Sequence, residues 1–154
     1  MSVQCTFRTN SPDETQQIAS NLARFIKPGD VLAFYGDLAS GKTTFIQGFG
    51  QQLNAIEPIN SPTFTLINEY NGDIPIYHFD CYRLNGSDEL FDIGYEEYFY
   101  GDGVTVVEWA EKVEEVIPKD AFQLYFKHLF NAEESREITI ECPEDREEIC
   151  SSLQ

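Results

Sequence analysis

Basic residues are scarce in this chain. Its 154 residues hold ten Lys and Arg against 27 Asp and Glu, a formal net charge of −17. Nucleic-acid binding draws most of its affinity from Lys and Arg on phosphates, so direct, independent RNA or DNA binding is disfavoured. Long apolar runs are missing too, and no transmembrane span is expected. The opening residues, MSVQCTFRTNSPDE, lack a basic start followed by an apolar block, so no signal peptide is expected and a cytoplasmic location is. The four cysteines, Cys5, Cys81, Cys142 and Cys150, form no C-x-x-C and no zinc-type cluster with histidine. They read as reduced, mostly structural thiols. Repeats, low-complexity tracts and linkers are absent.

What is present suits one folded domain over residues 1–154. Apolar content is 42% and aromatic content 14%, enough for a sizeable core at this length. The acid is concentrated. Residues 88–102 carry six carboxylates and no Lys or Arg; residues 133–148 carry eight carboxylates and two arginines. Such stretches serve as solvated surface or as an acidic face for a basic protein partner.

Patterning predicts alternating strands and helices. Residues 3–8 suit a strand. A helix follows, with Ser11 as N-cap, Pro12 in the first position, Glu14 completing a capping box and an apolar stripe of Ile18, Leu22, Phe25 and Ile26. Pro28, Gly29 and Asp30 end it. VLAFY, residues 31–35, has the continuous apolar character of a buried parallel strand. TTFIQGFGQQL looks helical. FTLINEY and IPIYHFDCY flank Asn71-Gly72 as a hairpin would. Short acidic helices are expected over residues 87–100, a buried strand at VTVVEW (104–109) with a short helix behind it, two strands at FQLYFKHL and REITIEC, and a helix over residues 144–153. The sum is an α/β fold with a sheet of mixed parallel and antiparallel direction flanked by helices.

Between the strand VLAFY and its following helix stands Gly36-Asp37-Leu38-Ala39-Ser40-Gly41-Lys42-Thr43, the G-x-x-x-x-G-K-T spacing of a phosphate-binding loop. Gly36 permits a sharp exit from the strand, and Gly41 lets backbone approach backbone where the helix begins. Successive N–H groups and the helix N-terminus then face an anion. Lys42 would reach the β- and γ-phosphates, and Thr43 would place its hydroxyl on Mg²⁺. Such a loop needs a carboxylate from a neighbouring strand for the metal or its waters. Asp80 and Glu108 each end an apolar run, where α/β sheets bind ligands. Thr63 and Thr65, in NSPTFT, fit either a γ-phosphate-sensing switch or a Pro-containing turn into a strand.

Other absences narrow the class. No N-K-x-D or D-x-x-G is found, so a Ras-like GTPase is not indicated. Arginines to clamp a transferring phosphoryl group are few: of Arg8, Arg24, Arg83, Arg136 and Arg146, only Arg83 lies beside a motif. A partner-dependent ATPase or switch leads; a small-molecule kinase and a non-hydrolysing nucleotide-dependent interaction module are the alternatives.

GDLASGKTTFIQGF, NSPTFTLINEY, YHFDCYRL, DELFDIGYEEYF and VEWAEK, in this order, resemble the TsaE (YjeE) family, over roughly residues 8–117. The resemblance implies a single-domain P-loop NTPase fold, ATP and Mg²⁺ as cofactors, and weak ATP hydrolysis that depends on the partners TsaB and TsaD. With them, the family supports threonylcarbamoyl transfer to adenosine 37 of tRNAs reading ANN codons; it does not itself perform the transfer, touches tRNA only through the complex and has no membrane role. Carried over by position, Gly36, Asp37, Leu38, Ala39, Ser40, Gly41, Lys42, Thr43 and Thr44 hold the phosphates. Thr43 and Glu108 match magnesium ligands, Asp80 a Walker-B-like acid, Thr63 the switch threonine and Trp109 the tryptophan beside the metal acid. Ser11 falls where the family's first helix approaches the nucleotide. Ala39-Ser40 replace the usual Gly-Ala, and Cys81 stands where Leu is common. His78 belongs to the family string and reads as a buried, hydrogen-bonded histidine.

Overall fold

The computed structural model describes residues 3–36, 41–57, 59, 66–129 and 135–153. Strand β1 (Val3–Thr9) leads to α1 (Pro12–Ala23), then β2 (Val31–Tyr35), α2 (Lys42–Gln52), the β3 (Ile67–Tyr70) and β4 (Ile76–Asp80) hairpin, and two short helices, α3 (Asp88–Asp92) and α4 (Tyr95–Phe99). β5 (Val104–Glu108), a 3₁₀ segment (Ala110–Val116), β6 (Phe122–His128), β7 (Arg136–Cys142) and α5 (Glu148–Leu153) complete the chain. Among the described residues no helix is long and apolar enough to cross a membrane.

The seven strands form one sheet in the order β1-β7-β6-β2-β5-β4-β3. β2 runs parallel to both β5 and β6, and β5 parallel to β4. β3, β7 and β1 add antiparallel edges. The expected α/β sheet of mixed direction flanked by helices is therefore what the chain builds. The C-terminal ends of β2, β5 and β4 lie side by side, and the start of β7 comes to the same end of the sheet because β7 reverses on β6.

Helix α1 starts as its sequence dictates. Ser11 Oγ accepts the Glu14 N–H at 3.2 Å, and Glu14 returns a carboxylate oxygen to the Asn10 N–H at 2.9 Å. It ends three residues before the expected stripe does. The Phe25 and Ile26 N–H groups close a tighter turn on the Leu22 and Ala23 carbonyls, and both side chains pack beside the core rather than continuing the helix. Thr15, Ala19, Leu22 and Ala23 are the buried positions. The small ones matter because α1 lies on α2 at Gly48, where a Cβ would come within 2.8 Å of the Gln16 backbone. The terminal helix likewise opens as a 3₁₀ turn, Glu144–Arg146, and Arg146 anchors it by donating to both Asp30 carboxylate oxygens at 2.7 Å.

Two cores form, one on each face. Leu32, Phe34, Val104, Val106, Phe122 and Leu124 pack under α1, α2 and α5. Phe34 stacks on Phe126 and meets Phe45 edge-on, with both centroid distances 5.6 Å. On the other face Ala33, Phe79, Cys81 and Val107 meet Leu90 and Phe99 of the short helices and Val113 of the 3₁₀ segment. The cysteine expectation needs correction. Cys5 and Cys150 are joined as a disulfide, while Cys81 and Cys142 are buried thiols. The pairing links β1 at the sheet edge to α5 across 145 positions, a proximity created by docking α5 on that edge and invisible in cysteine spacing.

Candidate nucleotide site

Gly36 leaves β2 at φ 140°, and Gly41 caps α2 at φ 103°, a left-handed conformation that disfavours a side chain. A Cβ at Gly41 would also press on the Arg136 side chain at 3.4 Å. Gly41, the cap residue of α2, has no side chain to offer, and the first N–H groups of the helix have the character of an anion cradle. Asp37, Leu38, Ala39 and Ser40, and the threonines Thr63 and Thr65, lie outside the described residues.

Lys42 opens α2 and is buried. Its Nζ donates to the Gly36 carbonyl at 2.7 Å and sits 4.0 Å from the centre of the Trp109 ring. A buried ammonium needs such partners, a carbonyl and an aromatic face among them. Trp109 follows β5 at φ 58°, and its ring lies 4.9 Å from that of Tyr82. Thr43 is exposed on the first turn of α2 beside it.

Asp80 and Glu108 are direct partners in the parallel β4–β5 ladder, and Glu108 is also level with Phe34 of β2. The topology thus brings both strand-end acids together, within electrostatic reach of Lys42. Their settings differ. Glu108 is 4% exposed and its Oε2 lies 2.6 Å from His78 Nε2. Asp80 is partly exposed and accepts the Tyr82 N–H at 3.0 Å. Burial raises the Asp80 carboxyl above its ordinary value; the Tyr82 N–H opposes this, and the Glu108 carboxylate adds to it. Glu111, from the 3₁₀ segment, is likewise raised by burial and pulled back by the Lys42 charge.

Ser11 has its hydroxyl engaged in capping α1, while its neighbour Pro12 lines a hollow of about 100 Å³ with Thr15, Gly41, Thr44 and Arg136. Arg136 was not signalled by any motif in the sequence, whereas Arg83, the arginine beside one, is exposed. The reversal of β7 on β6 is what carries Arg136 to Gly41. Glu111 was missed for a similar reason: only the left-handed turn at Trp109 swings the 3₁₀ segment back toward Lys42.

This donor set suits a nucleotide phosphate with a hard divalent cation. Among the described residues no group of three His, Cys, Asp or Glu side chains could hold a metal ion. Magnesium is ordinarily held by one or two carboxylates together with phosphate oxygens and waters, which matches two strand-end acids beside an anion cradle.

A family model described as threonylcarbamoyl adenosine biosynthesis protein TsaE matches residues 9–138. The tRNA threonylcarbamoyladenosine biosynthesis protein TsaE of Bacillus subtilis is 47% identical over 152 residues, spanning 97% of this chain and 94% of the relative. The protein of that name from Treponema pallidum is 39% identical over 132 residues, spanning 86% and 96%. The crystal structure of YdiB from Bacillus subtilis superposes with a TM-score of 0.81 at 42% identity, covering 99% of this chain and 95% of that one.

Proposed function

Since the chain belongs to the TsaE family of threonylcarbamoyl adenosine biosynthesis proteins, we propose that it is the ATPase of that tRNA-modifying machinery, binding ATP and Mg²⁺ at the ends of β2, β4 and β5. One observation carries this reading: a buried Lys42 and the paired acids Asp80 and Glu108 meet at a glycine-flanked helix N-terminus. Lys42 exchanges the Gly36 carbonyl for a phosphate oxygen, and the first N–H groups of α2 take up phosphate charge. Thr43 and Glu108 would hold the magnesium ion, which would supply charge neutralisation on the phosphates. Asp80, with a raised carboxyl, orients the attacking water and can receive its proton.

Hydrolysis is weak alone and productive on a complex of TsaB and TsaD, which it resets for further rounds of threonylcarbamoyl transfer to adenosine 37 of ANN-reading tRNAs. A net charge of −17 favours a basic protein face as the docking partner. The test is reconstitution with TsaB, TsaD, tRNA and threonylcarbamoyl-adenylate. Adding this protein and ATP should raise modified tRNA well beyond one product per transferase. A yield that stays at one turnover with ATP present overturns the reading.

A further inference from the structure

Side chains alternate along a strand, so β4 directs Ile76, His78 and Asp80 to the face under α2, and β5 directs Val104, Val106 and Glu108 to the same face. Ile76, Val104 and Val106 belong to the core there. His78 is therefore an imidazole set into an apolar layer, 1% exposed. Such a ring is costly unless its nitrogens are paired. Among the described residues only one is: Nε2 lies 2.6 Å from Glu108 Oε2, while Nδ1 is buried with no hydrogen-bond partner there. A histidine kept for packing alone would satisfy both nitrogens or give way to an apolar side chain of similar size. Here the cost of an orphaned nitrogen is borne for one contact, and that contact is to the strand-end carboxylate.

We propose that His78 is a positioning residue for Glu108. Its Nε2–H holds Oε2 and fixes the carboxylate rotamer, leaving Oε1 as the oxygen that meets the cation. A free glutamate side chain would sample several rotamers, and the entropy of ordering it would fall on the metal-binding step. Partners of this kind, behind a metal ligand, typically change metal affinity by about 10- to 100-fold when removed. The inference rests on the reading of Glu108 as a magnesium ligand.

The experiment uses the full chain and its single tryptophan, Trp109, as reporter. ADP affinity is measured in EDTA, and Mg²⁺ is titrated at saturating ADP, for wild type, His78→Leu and His78→Gln. Glutamine can present an N–H where Nε2 stands; leucine cannot. His78→Leu should move the Mg²⁺ midpoint up by about 10- to 100-fold and leave ADP affinity in EDTA within about twofold. His78→Gln should recover most of that shift. An unmoved midpoint in His78→Leu, an equal shift in both variants, or a parallel loss of ADP affinity in EDTA overturns the assignment. If wild type itself shows no coupling between Mg²⁺ and ADP, the metal reading fails first and takes this one with it. Should His78→Leu not fold, His78→Asn gives the same contrast, since the shorter amide cannot reach Glu108.

Discussion

The two faces of β4 and β5 are built to different rules. Toward α3, α4 and the 3₁₀ segment, Phe79, Cys81 and Val107 stay apolar up to the strand ends. Toward α2, the same strands begin apolar with Ile76, Val104 and Val106 and turn polar through His78 to Asp80 and Glu108. One face is a core that stops where the sheet stops. The other is a core that grades into a polar cluster. A single strand can do both because neighbouring side chains point oppositely, so the rigidity of one face holds the geometry of the other.

Breaking the apolar face should cost most. Phe79 is fully buried against Phe99 and Tyr98, with ring centroids 5.5 and 5.6 Å away. Phe79→Ala should lower stability by about 3–5 kcal/mol in urea unfolding. ADP affinity of the folded protein should hold within about twofold. A large affinity loss with little change in stability would reverse the roles assigned to the faces. On the polar side the order inverts. Lys42→Ala should lower ATP affinity by about 10- to 150-fold, from the loss of charge-assisted hydrogen bonds of about 1.5–3 kcal/mol. Its stability should change less than that of Phe79→Ala, because a buried ammonium is removed with its partners' contacts. Calorimetric titration checks the first and urea unfolding the second.

The smallest effect is the most diagnostic. Burial raises the Asp80 carboxyl, so the folded chain binds that proton more tightly than the unfolded one. The stability this contributes is complete below the ordinary value of 3.8 and is lost as pH rises through the raised one. At neutral pH the ionised carboxylate is therefore a net cost. Asp80→Asn, whose amide oxygen still accepts the Tyr82 N–H, should raise the melting temperature of nucleotide-free protein in EDTA slightly at pH 7. The gain should shrink as pH is lowered toward 3.8, while partner-stimulated hydrolysis falls. A lower melting temperature at pH 7 would mean that Asp80 is a structural acid.

Much of this was legible from residue order. The capping box at Ser11 and Glu14, the apolar run before Gly36 and the acids closing VTVVE and IYHFD all concern neighbours within a few residues, where backbone preference and side-chain alternation act directly. The end of α1 was misjudged because Phe25 and Ile26 kept a helical period while the chain had already tightened into a turn. His78 was read as buried and hydrogen-bonded, but its partner could not be named, since Nε2 meets Glu108 thirty positions on. Arg136 beside Gly41 and the joining of Cys5 to Cys150 were out of reach for the same reason.

Residue order alone located Gly36 at the end of β2, Lys42 at the start of α2, the strand-end acids and the alternation of strands and helices, because each follows from local chemistry. The placement of β5 between β2 and β4 belongs to the folded chain. Strand pairing runs through backbone hydrogen bonds that are nearly indifferent to side-chain identity, so register and neighbour are chosen by burial over the whole sheet. That choice sets Asp80 level with Glu108 and brings His78 within reach of it. It turns two unrelated strand ends into one candidate site beside Lys42.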